Sequence, residues 1–303
     1  MSLKKTELRD YLVGFALVLT MVGVATWLHD YEIILPEIAA LTTGMWIYHK
    51  QDWVRQPIKI FLAPSGTAVI GFVINLLPLN YPTKVVLTLL LILVLLRGLR
   101  STLAPSFATG LLPIIVNATH WSFIVAIFAF TLILMAGVWL RGLHRGIPAG
   151  KPLNYRHMAL FLAAGSLWTG LVWLSGNPQM AAIPPVLVVF FETLQQPAYG
   201  GKMALKHIVA LSGAATIGVL VHLLFASWLL TTLISLPLVF ILLTVLRLKL
   251  PAAYAFPLLA LVLPANMFRH LPIAALLAAS FFLGIVFVYK QVANRRRYAT
   301  ESE

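Results

Sequence analysis

The sequence predicts an all-α polytopic membrane protein of about twelve transmembrane segments, arranged as two parallel six-segment repeats. Three observations carry this. First, 60% of the 303 residues are hydrophobic and 10% are charged. Soluble domains run at about 45–50% and about 25%, so there is too little charge here to cover a water-facing surface. Second, apolar runs recur along the whole chain. Third, the basic residues segregate into alternate loops.

The first run, 11–28, follows a short charged N-terminus and is too long for a signal-peptide core, so it is expected to remain as a first spanning helix. Runs at 33–48, 60–79, 84–97, 102–119 and 122–140 complete the first half. Those at 157–175, 180–195, 207–226, 228–246, 251–265 and 271–289 form the second. A spanning helix needs about 20 residues. The runs that open near Ile33, Thr102, Met180 and Pro251 are shorter. They are expected to be half-helices, re-entrant segments, or helices extended by polar ends buried in protein. The domains are therefore 1–145 and 146–303, joined by the basic, Gly/Pro-rich linker Arg141–Arg156.

Charge orients the runs. If all twelve cross and the N-terminus is cytoplasmic, twenty of the 22 Lys and Arg lie inside. Only Lys84 and Arg269 lie outside. Cytoplasmic loops are rich in Lys and Arg, so both termini are expected in the cytoplasm, with the protein in the plasma (inner) membrane. Trp27, Trp46, Trp121, Trp139, Trp173 and Trp228 near the run ends suit an interfacial belt. The net charge of +13 is thus an orientation signal. Its dispersal over many short loops argues against a nucleic-acid partner.

A shift of 147 residues lays one half on the other. Ser65-Gly66-Thr67-Ala68-Val69-Ile70-Gly71 falls on Ser212-Gly213-Ala214-Ala215-Thr216-Ile217-Gly218. Lys59 falls on Lys206, Arg100 on Arg247, and Phe107-Ala108 on Tyr254-Ala255. The register holds without a gap from Lys59 to Leu112. Six runs per half give both halves one orientation. Transporters built from such repeats place their sites at the repeat interface.

Within the repeat, the Ser-Gly pattern makes a smooth helix face. Packing alone explains it. Alternatively, Pro64 and the small polar residues mark a broken helix whose N–H and hydroxyl groups face an anion. The segments Ala104 to Gly110 and Leu250 to Pro257 either start helices inside the protein or carry Pro in an ordinary first turn. Arg100 and Arg247 before them set topology, or gate an anion vestibule. Few ionisable residues fall in the runs: Glu37, Glu192 and His222. No pair of carboxylates lies deep, which argues against a metal-ion or proton-driven cation transporter. No enzyme motif is present. The absence of cysteine excludes disulfides and thiolate chemistry.

Three stretches, Gln195-Gln196-Pro197-Ala198-Tyr199-Gly200-Gly201, Ala214 to Val219 and Leu246 to Ala255, follow one another as in the HPP family. The chain resembles that family of small integral membrane proteins, named for a His-Pro-Pro motif and linked in part to nitrite transport. Arg55-Gln56-Pro57, Ser65 to Gly71 and Leu103 to Leu112 resemble a second copy. Ala104-Pro105-Ser106 and Leu250-Pro251-Ala252 stand where the His-Pro-Pro triplet would be. A weaker resemblance is to the aromatic acid exporter (fusaric acid resistance) group. Its members repeat a six-helix unit and usually carry a soluble domain between the halves.

The expected function is transport of a small anion, with nitrite the candidate that the resemblance implies. Ser65, Gly66, Thr67, Ser212, Gly213 and Thr216 would line its path, and Arg100 and Arg247 would attract it. Export of aromatic or other organic acids is the alternative. A non-transporting membrane scaffold is the alternative of another class. No catalysis, metal or cofactor is expected. The partners are the anion and the lipid bilayer, and the chain is compatible with a homo-oligomer. A cysteine introduced at Gly150, in a chain that has none, should stay unlabelled by a membrane-impermeant thiol reagent outside intact cells. Labelling there would reverse the topology.

Overall fold

The computed structural model describes residues 5–148, 150, 154–176 and 180–301. Lys4 and Lys151 of the charge count, and part of the linker, lie outside the described residues. Among those described, the chain is helical and has no strand. The first-half helices are α1 (Lys5–Leu28), α2 (Pro36–Thr42), α3 (Gln51–Val54), α4 (Pro57–Leu76), α5 (Tyr81–Gly98), α6 (Ser106–Ile115) and α7 (Trp121–Leu140). The second half contributes α8 (Tyr155–Leu174), α9 (Pro184–Gln195), α10 (Gly201–Leu224), α11 (Trp228–Leu246), α12 (Ala255–Val262), α13 (Ala265–Phe268) and α14 (Leu271–Glu301). A π-helical turn, Thr43–Ile47, continues α2, and a 3-10 turn, Pro251–Tyr254, leads into α12.

Eight of these are long and apolar enough to cross a membrane: α1, α4, α5, α7, α8, α10, α11 and α14. Each carries large apolar side chains on its outer face, such as Leu12, Val73, Val94, Val125, Leu171, Leu220, Val245 and Leu277. So much exposed apolar surface suits a lipid environment.

The other four runs differ from full-length helices. Those at 33–48, 102–119, 180–195 and 251–265 contain the short helices α2, α6, α9 and α12. Each follows an X-Pro step: Leu35-Pro36 and Ile183-Pro184 at the first residue of α2 and α9, Ala104-Pro105 just before α6, and Leu250-Pro251 at the 3-10 turn that leads into α12. Proline pushes the residue before it out of the helical region and is itself at home in a first turn. Leu35 and Ile183 are accordingly extended, at φ −110° and −119°. Every residue of α2, α6 and α12 is buried. In α9 only Glu192 and the last residue, Gln195, are not. A helix apolar on all sides belongs in a core.

The segments that carry α2, α6 and α12 are tied at both ends of the bundle. Lys59 at the start of α4 donates to the Arg100 carbonyl at 2.9 Å. Asn75 at its far end donates to the Ala118 carbonyl at 2.9 Å. The segment 100–118 is thus tied to both ends of α4, which rises about 30 Å. The ten residues of α6 supply about half of that, and the non-helical residues before them supply the rest. In the second half, Lys206 on α10 donates to the Leu246 carbonyl at 3.0 Å. At the far end of α10, His222 packs on Phe268, with ring centroids 5.2 Å apart. For the run at 33–48, Glu32 accepts from the Thr119 and His120 N–H groups at 3.0 and 2.9 Å. At its other end, His49 lies 3.6 Å from Asp10, which also pairs with Arg141 at 2.7 Å.

Several contacts exchange partners between the halves. The first helices cross over, α1 packing on α11 and α8 on α5, and so do the short ones, α2 on α12 and α6 on α9. Helix α5 begins at Tyr81 and α11 at Trp228, the offset seen in the sequence.

Glycines set the closest approaches. A Cβ on Gly71 of α4 would lie 1.8 Å from the Gly110 carbonyl oxygen of α6. At the matching Gly218 of α10, it would lie 2.6 Å from Pro257 Cα of α12. Both obstacles are backbone. At Gly66 the nearest atom, 2.8 Å away, is the tip of the flexible Leu95 side chain, and at Gly213 it is the tip of Leu242, 3.0 Å away. Gly71→Ala and Gly218→Ala should therefore each cost about 1–3 kcal/mol or more. Gly66→Ala should be near neutral, because better helix propensity returns up to about 1 kcal/mol. Thermal unfolding of the detergent-purified variants checks this order. Equal losses at Gly71 and Gly66 would contradict it.

Candidate functional site

The first turns of the four short helices meet around one small apolar cavity. Its walls are Pro36, Glu37 and Ala40 of α2, Pro105, Ala108 and Leu112 of α6, and Pro184, Pro185 and Val188 of α9, closed by Ala252, Ala255 and Leu259. The space for a water-sized molecule is about 10 Å³, room for about one water. None of the four helices has a side-chain hydrogen bond capping its N-terminus. The positive dipole ends of α6 and α9 therefore bear on the cavity without a capping oxygen between.

One polar side chain enters it. Glu37 is 1% exposed, and neither carboxylate oxygen has a hydrogen-bond partner. Among the described residues no Lys, Arg or His pairs with it. Its position follows from the chain: Pro36 starts the helix, so the next residue projects from the first turn. Counted from the proline that starts each helix, Pro36 and Pro184, the residue in the place of Glu37 is Pro185; at the 147-residue offset it is Pro184, so neither count puts an acid there. The cavity thus has one carboxyl, on one side.

A second, larger cavity of about 530 Å³ opens at the basic end between α1 and α11. Tyr11, Tyr48 and Phe240 give it aromatic walls; Arg247, Lys249 and Glu7 give it charge. The Tyr48 hydroxyl is 3.4 Å from that of Tyr11 and 3.3 Å from that of Tyr254. Lys249 Nζ lies 5.9 Å from the Tyr48 ring centroid. At the matching positions of the other half stand Met158, Leu93, Gln195 and Phe107, so the three tyrosines are peculiar to this side.

The residues singled out from the sequence are not brought together. Ser65 is buried and shares a hydrogen bond with Thr131 of α7 at 3.3 Å. Thr67 bonds Thr109 of α6 at 2.6 Å. Gly66 faces α5. Ser212 and Thr216 bond back to carbonyls of their own helix, at 2.8 Å each, and Thr216 is exposed. Gly213 faces α11. None of the six lines the central cavity. Helix α4 is continuous through Pro64, not broken there. Arg247 lines the basic-end cavity, whereas Arg100 does not; both cap their helices with left-handed backbone, at φ 54° and 49°. Lys59 and Lys206, noted only as repeat markers, bond the carbonyls that those helix ends leave free. Glu192 pairs with Lys50 across the halves at 2.6 Å.

Glu37 stood out only as one of few ionisable residues in the runs. The signal that marks it is its place directly after an X-Pro step inside a short apolar run. No protein-family model matches the chain, and neither the comparison with curated proteins nor that with solved structures finds a match.

Proposed function

We propose that this protein is a transporter that moves a small anion across the plasma (inner) membrane. In this reading the chain crosses twelve times, with both termini in the cytoplasm. Its two halves are parallel repeats about an axis along the membrane normal, and it is not an enzyme. The observation that carries the reading is the meeting of four proline-started helices at an enclosed cavity. Discontinuous helices whose N-termini point into the bundle are how transporters build anion sites in the membrane. The cavity has room for about one water, so the described conformation is the closed one. Opening it requires the contacts exchanged between the halves to shift. Nitrite remains the first substrate to try, because of the resemblance to the HPP family.

A second reading, export of an aromatic or other organic acid, is favoured by the basic-end cavity. Tyrosine walls and two cations suit an aromatic carboxylate.

One experiment addresses both. The purified chain is placed in liposomes and the entry of nitrite, formate and benzoate is followed against protein-free liposomes. Flux of nitrite or formate supports the first reading, and flux of benzoate alone the second. Arg247→Ala should slow entry at low anion concentration at least several-fold, through lost attraction at a low-dielectric mouth. Arg100→Ala should do less, since Arg100 lines neither cavity. No flux of any of the three anions would leave a scaffold role.

A further inference from the structure

We propose that Glu37 is the proton-binding group of the transport cycle, and that it couples anion movement to the movement of one proton. The inference rests on the transport reading for the word coupling, but not for the binding itself. The carboxyl is enclosed by apolar wall and both its oxygens lack a partner. Buried polar groups are normally hydrogen-bonded, and an exception calls for a reason. An ionised carboxylate here would be an uncompensated charge in an apolar space. A neutral acid would not.

Of the charged and titratable groups on the elements packed against α2, Lys5, Glu7 and Arg9 are exposed at the start of α1, and the others are held away from Glu37. Asp10 on α1 holds Arg141 and His49. Tyr11 on α1 and Tyr254 of the 3-10 turn both lie against Tyr48. Glu32 is bound by the N–H groups of Thr119 and His120. Helices α6, α7 and α12 carry no charged residue. A metal cation would need several oxygen ligands, yet no other lining side chain has an oxygen. A proton needs only one.

The cycle that follows is simple. In the closed conformation the carboxyl holds its proton. When the short helices part, water reaches the carboxyl beside the helix ends that already face it, and the carboxyl releases its proton to that water and becomes a carboxylate. An anion entering from one side favours rebinding of a proton from that same side, and both leave on the other side. The emptied site returns as the carboxylate facing the positive helix ends, so one anion and one proton cross per cycle without net charge. Because a proline stands in the acid's place in the second half on either count, the expected ratio is one proton per cycle.

The test uses the full chain in bilayers, as wild type and Glu37→Gln, which keeps the shape and removes the charge. Glu37→Met is the second neutral variant. Both should fold with a thermal midpoint no lower than wild type. In the part of a pH titration near 7, where ordinary carboxyls are ionised, infrared spectra should show a protonated-carboxyl stretch in wild type that is missing in both variants. In liposomes loaded with a pH-sensitive dye, nitrite entry should acidify the lumen with wild type and lose that acidification with Glu37→Gln. A band that persists in the variants, or that is absent from wild type throughout, would overturn the proposal. So would proton entry that follows nitrite unchanged in Glu37→Gln. If wild type moves no nitrite, formate or benzoate, the transport reading fails by itself. The infrared titration then decides alone whether Glu37 carries the proton.

Discussion

Non-helical backbone cannot face lipid, because no water is there to satisfy its N–H and C=O groups. Four X-Pro steps inside apolar runs force this protein to meet that constraint four times. Each step interrupts a helix, and each interruption has to be enclosed by protein. The result is a buried core of short helices, α2, α6, α9 and α12, with longer helices around it. Their outer faces are apolar. The glycines at Gly71 and Gly218 follow from the same need, since each lets a long helix close directly on the backbone of a short one.

Polar contacts sit mainly at the two ends of the bundle. At the basic end Asp10 ties His49 and Arg141 within the first half, and Lys50 with Glu192 ties the two halves together. At the other, Glu32 and Asn75 hold the turn before α7. Such tethers fix where each short segment starts and stops. They also show how a segment with a ten-residue helix and non-helical residues beside it covers the height of a twenty-residue neighbour. Against that arrangement, one unpartnered carboxyl in the middle is the exception. Burying a carboxyl without a hydrogen bond lowers stability, and in a membrane protein an intramembrane ionisable group points to function.

Much of this is legible in the sequence. The eight long helices fall on apolar runs, though α1 and α10 start six residues before theirs and α14 continues twelve residues past its own, and the four short runs are short for a physical reason, their proline. The 147-residue offset relates Lys59 to Lys206 and Arg100 to Arg247, and both pairs have matching structural places. The candidate site was less legible. A Ser-Gly face looks the same in sequence whether it borders a cavity or a neighbouring helix, and here Ser65 and Thr67 meet α7 and α6. Glu37 looks like an ordinary first-turn acid until the surrounding helices are placed. The basic-end cavity joins Tyr11 and Tyr48 to residues 240–249, with Tyr254 behind Tyr48, which no local pattern connects.

The central claim is that the short helices are enclosed and the long ones face lipid. Carbene footprinting from photoreactive lipid tails tests it on the wild-type protein in bilayers, read peptide by peptide by mass spectrometry. Label should fall on α1, α7, α11 and α14, at residues such as Val125 and Leu277, and spare 104–116 and 184–194. Comparable label on those two segments would place them against lipid and contradict the account.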